Sequence, residues 1–287
     1  MFQIPSHKKK KYQLKPIQLV QVHNEHMTNM DNTDISIAHA IFHNNKAAKL
    51  LQQGDCRDAI SSLVTALSSI KRALQRLPPN KEELQCHEID GSIETSRLPC
   101  HEAAMEASRA TSTSSYVFDC ATMISRINVH DLSGCLMACN AISGIILWNL
   151  AISHHFFAFQ SISIGSSRIY DECYLQKAKR FYETSYQIHV NAGGHPMIDW
   201  TRAMPILNNL ALVNHAFGDI DQTHKCQQTL VSMIFFYNDN RRQAQQASAA
   251  TFSKDEQNSF VQEDDMIGIV GNVSNLILSH AVTAQAA

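Results

Sequence analysis

Two copies of the tripeptide Cys-His-Glu, at Cys86-His87-Glu88 and Cys100-His101-Glu102, bring together residue types that hold zinc. Cys86, His87, Cys100 and His101 would supply four soft ligands. Adjacent residues point apart on a helix and on a strand alike, so each pair chelates poorly. His101-Glu102 also begins the helix motif of zinc proteases, but the second histidine of that motif is replaced by Met105, and the ligand pair is lost.

The remaining candidates are weaker. Cys135 and Cys139 lie one helical turn apart with no further ligand at metal spacing, which is a packing pattern. His154-His155 falls among apolar neighbours and reads as a packed or hydrogen-bonded pair within a helix. Gly193-Gly194 lacks both the preceding strand and the following Lys-Ser/Thr of a phosphate loop. No nucleophile stands at a recognised spacing from a base and an orienting acid. The expectation is therefore no catalysis, no metal and no cofactor. The alternative is a zinc-dependent regulator or enzyme built on the two Cys/His pairs.

Composition narrows the partners. The chain has 287 residues, a net charge of −2 and 44% hydrophobic residues, so it holds a core and lacks the basic excess that attracts nucleic acid or an anionic membrane. Eight cysteines form no tight framework, and the start, MFQIPSHKKKK, lacks the apolar run of a secretory signal. The longest apolar stretch, Ile142 to Ile152, is short for a bilayer and is interrupted by Ser143, Gly144 and Asn149. These features lead to the expectation of an intracellular protein, with the cytoplasm ahead of the nucleus. Lys8 to Lys11 reads as part of a solvated basic tail, with a nuclear-import signal as its sharper alternative.

The elements that would position any site are helical hairpins. In Asn45 to Leu67, NKAAKLLQQGDCRDAISSLVTAL, apolar residues recur at three and four on both sides of Gly54-Asp55. Gly54 suits a left-handed helix end and Asp55 an N-cap. Ala47, Ala59 and Ala66 are small where the two helices cross. The pattern returns twice. ILWNLAISHH pairs with YLQKAKRFYETSYQIH across an expected serine-rich joint at 161–171, and Gly193 and Pro196 are expected to end the second of these helices. ILNNLALVNHAFGDIDQTHKCQQTLVSMI repeats the turn at Gly218-Asp219, with Pro205 expected in the first turn.

These hairpins resemble the tetratricopeptide repeat (TPR), a helix-turn-helix unit of about 34 residues. Ala47, Ala59 and Ala66 take its small positions 8, 20 and 27, as do Ala151, Ala178 and Ser185 in the second repeat. In the third repeat Ala211 keeps position 8, while Thr223 and Leu230 replace the other two. The phrases quoted are also similar to uncharacterised TPR-like proteins of diatoms, which share a long insertion after the first hairpin. The resemblance implies an all-α fold, a TPR-like solenoid with a long irregular insertion and a C-terminal capping helix. Its parts would be a basic tail (1–34), a first hairpin (35–77), a loop insertion (78–135), two further hairpins (136–237), a linker (238–263), of which Arg241 to Ala250 could instead extend the preceding helix, and a capping helix with tail (264–287). Within the insertion, Tyr116 to Ile127 is expected to dock back as a strand or extended segment.

The family resemblance further implies a scaffold or adaptor that binds a protein or peptide in a groove lined by first helices. Carried over by motif position, the groove residues are Asn44, Ala48 and Leu51, then Trp148, Ile152 and His155, then Asn208, Leu212 and His215. The basic clamp of chaperone-binding members is missing, and only Asn149 matches it. A groove around Trp148 would suit an amphipathic helix or apolar peptide; the competing reading of Trp148 is core burial between repeats.

Overall fold

The chain reverses twice through the same turn, first at Gly54 and again at Gly218. Both glycines take a positive φ, 85° and 70°, where a Cβ would crowd the following carbonyl. At the first turn Gly54 N–H donates to Leu51 and Asp55 N–H to Leu50; at the second, Gly218 N–H donates to His215 and Asp219 N–H to Asn214. These bonds satisfy the carbonyls that a helix end leaves open. Each aspartate then caps the next helix: Asp55 Oδ1 accepts from Asp58 N–H and Asp219 Oδ1 from Gln222 N–H, both at 3.3 Å.

The computed structural model describes residues 32–77, 93–100, 117–127, 136–163, 168–191, 200–248 and 266–274. Lys8 to Lys11, Cys86, His87, His101, Cys135 and Gly193-Gly194 lie outside the described residues. What is described is mostly helical. Helices α1 (Asn32–Gln52) and α2 (Cys56–Arg76) form the first hairpin. The second is α3 (Leu136–Ser163) with α4 (Arg168–Asn191), and the third α5 (Trp200–Ala216) with α6 (Ile220–Ser248). A short helix, α7, spans 266–274. From α1 to α6 every helix packs on its neighbours in sequence, and α1 also reaches α3.

Small side chains let the helices approach. Ala47, Ala59 and Ala66 have no exposed surface. At the crossing of α3 and α4, Ser185 Oγ donates to the Gly144 carbonyl at 2.9 Å. A Cβ on Gly144 would lie 3.0 Å from His189 Nε2 and 3.3 Å from Ile188 Cγ2. The glycine that interrupts the apolar run of α3 is thus a close-packing position. Thr223 and Leu230 also fit: both are buried, and Thr223 Oγ1 donates to the Asp219 carbonyl at 2.8 Å.

Helix α3 is the centre of the fold. Every residue from Ile142 to Phe156 is buried, because α2, α4, α1 and β2 all pack against it. Leu136–Gln160 is long and apolar enough to cross a membrane by length and composition. In this fold 78% of its most apolar window is covered by protein, the burial expected of a core helix that is hydrophobic all round.

Three features differ from the sequence expectation. Within the insertion at 78–135, β2 (Cys120–Ile127) falls in the segment expected to dock back, but β1 (Ile93–Pro99), expected as loop, pairs with it antiparallel, with Leu98 opposite Ala121 and Arg97 opposite Thr122. The joint of the second hairpin is shorter than 161–171, since α3 runs to Ser163 and α4 begins at Arg168. Pro205 lies inside α5 instead of in its first turn. In the stretch 238–263, the helical alternative applies as far as Ser248, where α6 ends. At the far end, Ile269 and Val273 of α7 are buried, and Asn272 Nδ2 donates to Asn208 Oδ1 at 2.8 Å.

Candidate functional site

In each first helix an asparagine stands two residues before the small residue of the crossing: Asn45 before Ala47, Asn149 before Ala151, Asn209 before Ala211. Ala47, Ala151 and Ala211 are buried. The three asparagines do the same thing. Each side-chain amide holds both the N–H and the C=O of one residue in the extended segment 117–124.

Asn149 Oδ1 accepts from Thr122 N–H and its Nδ2 donates to Thr122 C=O, both at 2.8 Å. Asn209 holds Phe118 in the same way, at 2.9 Å on both sides. Asn45 holds Ile124, with Nδ2 to the carbonyl at 2.7 Å and Oδ1 from the N–H at 2.9 Å. Asn44 adds a second donor to Thr122 C=O at 3.0 Å, and Trp148 Nε1 donates to Cys120 C=O at 3.3 Å. The segment therefore crosses the first helices in reverse order, third repeat to first.

This arrangement satisfies an edge. Among the described residues the sheet has two strands, and β2 would present a row of unpaired backbone groups on the side away from β1. Helix side chains take the place of a third strand. The asparagines are satisfied in turn: Asn149 Nδ2 also donates to Asn44 Oδ1 at 2.8 Å, and Asn209 Nδ2 to Tyr182 Oη at 3.2 Å. Tyr182 Oη lies 3.2 Å from His155 Nδ1.

The segment's side chains are buried as well. Phe118, Ala121, Thr122 and Ile124 have essentially no exposed surface. Phe118 packs against Trp148 with ring centroids 5.8 Å apart, and the Arg97 guanidinium lies 4.6 Å above its ring. Trp148 in turn meets Tyr182 at 5.6 Å.

The nine residues assigned to a groove are brought to this region, but most do not face open solvent. Asn44, Ala48, Leu51, Trp148, Ile152, His155 and Asn208 are buried; Leu212 is half-buried and His215 exposed. Strand β2 covers the first two repeats, Phe118 before it reaches Asn209 of the third, and α7 covers Asn208. Trp148 is both a core residue and a contact of the segment. Asn45 and Asn209 were missed as contacts by motif position. The signal that marks them is Asn-x-Ala, repeated three times at equivalent places in the hairpins.

The buried titratable groups of this region are held in their neutral forms. Burial drives His155 down to about 3 and, with Lys177 nearby, His154 down to about 4, so both imidazoles are neutral. Burial raises the Tyr182 phenol well above its usual range. Cys56 is pushed up to about 12 by burial and Asp55, and Cys226 to about 11, chiefly by burial. Cys100, at the end of β1, is buried beside Asp119 and is held well above the usual thiol range. A protonated thiol is neither nucleophile nor metal ligand. Among the described residues no three His, Cys, Asp or Glu side chains gather as a metal site; the other three members of the Cys/His set lie outside them.

A separate groove of about 520 Å³ lies between α4 and α6, with Tyr186 and Val190 on one side and Gln228, Met233 and Phe236 on the other. None of the asparagines lines it. Compared with protein-family models, curated proteins and solved structures, the chain matches none.

Proposed function

We propose that the chain is a protein-interaction scaffold or adaptor without catalysis, a TPR-like stack of three hairpins. Its concave face, lined by α1, α3 and α5, holds an extended polypeptide segment of a protein partner. The observation that supports this reading is the threefold use of one asparagine position to grip main-chain N–H and C=O at Phe118, Thr122 and Ile124. Bonds of this kind read backbone and leave specificity to the alternate side chains, as in strand-addition modes of peptide recognition. An extended occupant fits this set of contacts better than an amphipathic helix does, because a helix has already consumed its own backbone groups.

Trp148→Glu is a poor probe, since Trp148 is buried and a carboxylate there costs several kcal/mol in desolvation. Leu212 and His215 remain accessible on the same helix face. Affinity capture followed by cross-linking, comparing wild type with Leu212→Glu/His215→Glu, tests the proposal. The expected result is that partners cross-linking to α5 are lost from a folded variant. Equal recovery of every such partner contradicts it.

A further inference from the structure

Resting on that reading, we propose that residues 117–124 are a built-in occupant of the partner site, and that an extended partner segment gains access by replacing them. Five side chains of the first helices, Asn45, Asn149, Asn209, Asn44 and Trp148, hold the segment by its backbone atoms. Any extended chain offers the same groups at the same spacing. The amides therefore cannot tell Thr122 of this protein from a residue of another.

What distinguishes an incoming segment is its alternate side chains. The internal occupant buries an aromatic residue at Phe118, small residues at Cys120 and Thr122, and a branched aliphatic residue at Ile124. The aromatic position is the most specific, because Phe118 lies between the Trp148 ring and the Arg97 guanidinium. The partner is thus an extended peptide of the pattern aromatic-x-small-x-small-x-aliphatic. It carries no cationic residue at the aromatic and first small positions, which the Arg97 guanidinium already faces, 4.6 Å above the Phe118 ring and 3.2 Å from Cys120 Sγ.

Tethering sets the terms of the competition. The strand pair joins α2 and α3 within one chain, so its effective concentration at the site is on the order of millimolar. A free peptide sees only the fraction of molecules in which the segment has left, and its apparent affinity is reduced by that fraction. Weakening the internal anchor raises the fraction.

The test uses the full chain and a fluorescent peptide, VFDSATMI, which copies residues 117–124 with serine in place of Cys120. Anisotropy is read for wild type, Phe118→Ala and Phe118→Ala/Asn149→Ala, with folding checked by circular dichroism. The expected result is binding at least tenfold tighter to Phe118→Ala than to wild type, and loss of that gain in the double variant. Hydrogen exchange on wild type covers the case of an unfolded variant: saturating peptide should deprotect the chain's own Phe118, Thr122 and Ile124 amides. Binding that leaves those amides protected overturns the exchange while leaving the scaffold reading to its own capture experiment. No binding to wild type or to folded Phe118→Ala also overturns it. A concentration-dependent dimer that the peptide disperses would overturn the partner assignment and make a second copy of the chain the occupant.

Discussion

Asn149 meets Thr122 as a neighbouring strand would, accepting from its N–H and donating to its carbonyl at 2.8 Å each. Both residues are buried, so neither backbone group has water to fall back on. Asn149→Ala leaves the Thr122 N–H unpaired and costs about 1–3 kcal/mol, by the usual desolvation penalty of an orphaned buried group. Asn149→Asp costs at least as much, because its carboxylate can accept from Thr122 N–H but cannot donate to the carbonyl. Urea denaturation of the two variants against wild type checks the order.

The crossing of α3 and α4 makes a different prediction. A Cβ at Gly144 would sit 3.0 Å from His189 Nε2, at the end of a side chain, and 3.3 Å from Ile188 Cγ2. Gly144→Ala is tolerated if His189 turns aside. Gly144→Val forces the helices apart and costs about 1–3 kcal/mol, the range for overpacking. Melting temperatures of the two substitutions should separate clearly.

The turn glycines should respond alike. Gly54 and Gly218 share a positive φ and the same hydrogen bonds, so alanine at either costs about 1–2 kcal/mol, the penalty of a left-handed L residue. Gly271 in α7 meets nothing within 4 Å, and alanine there stabilises by up to about 1 kcal/mol through helix propensity. Opposite signs in a thermal melt are the expected outcome.

Acid should loosen the fold. His155 falls from 6.5 to about 3 and His154 from 6.5 to about 4 on folding, mainly through burial. The folded-state values are depressed, so below 6.5 the unfolded chain binds protons that the folded chain refuses. Stability is fully present above about pH 6.5 and declines as pH falls toward those values. Between pH 7 and pH 5 the loss is about 2 kcal/mol per imidazole, from roughly 1.4 kcal/mol for each unit below 6.5. Denaturation midpoints at the two pH values, with His154→Phe/His155→Gln as the flattened control, check the slope.

The hairpins were readable because local rules agree there. Gly54-Asp55 and Gly218-Asp219 carry their turn in two residues, and the buried alanines fix the crossing at the same repeat position. The occupant of the first-helix face was harder to see. Tyr116 to Ile127 could be read as a docking extended segment, but its partner strand at 93–99 has no alternation of apolar and polar residues: the alternate residues Glu94, Ser96 and Leu98 are charged, polar and apolar in turn. The asparagines escaped for a related reason. An amide in a helix looks like a solvent-facing residue until the backbone it holds is known, and that backbone lies 91 residues away for Asn209 and 79 for Asn45.

Residue-resolved hydrogen exchange tests the backbone grip most directly. The amides of Phe118, Thr122 and Ile124 should be protected in wild type, although Phe118 precedes β2 and the other two bond to the asparagines. Alanine at Asn209, Asn149 or Asn45 should release first the amide that each one holds. Rapid exchange of those three amides in wild type, or protection indifferent to all three substitutions, contradicts the account.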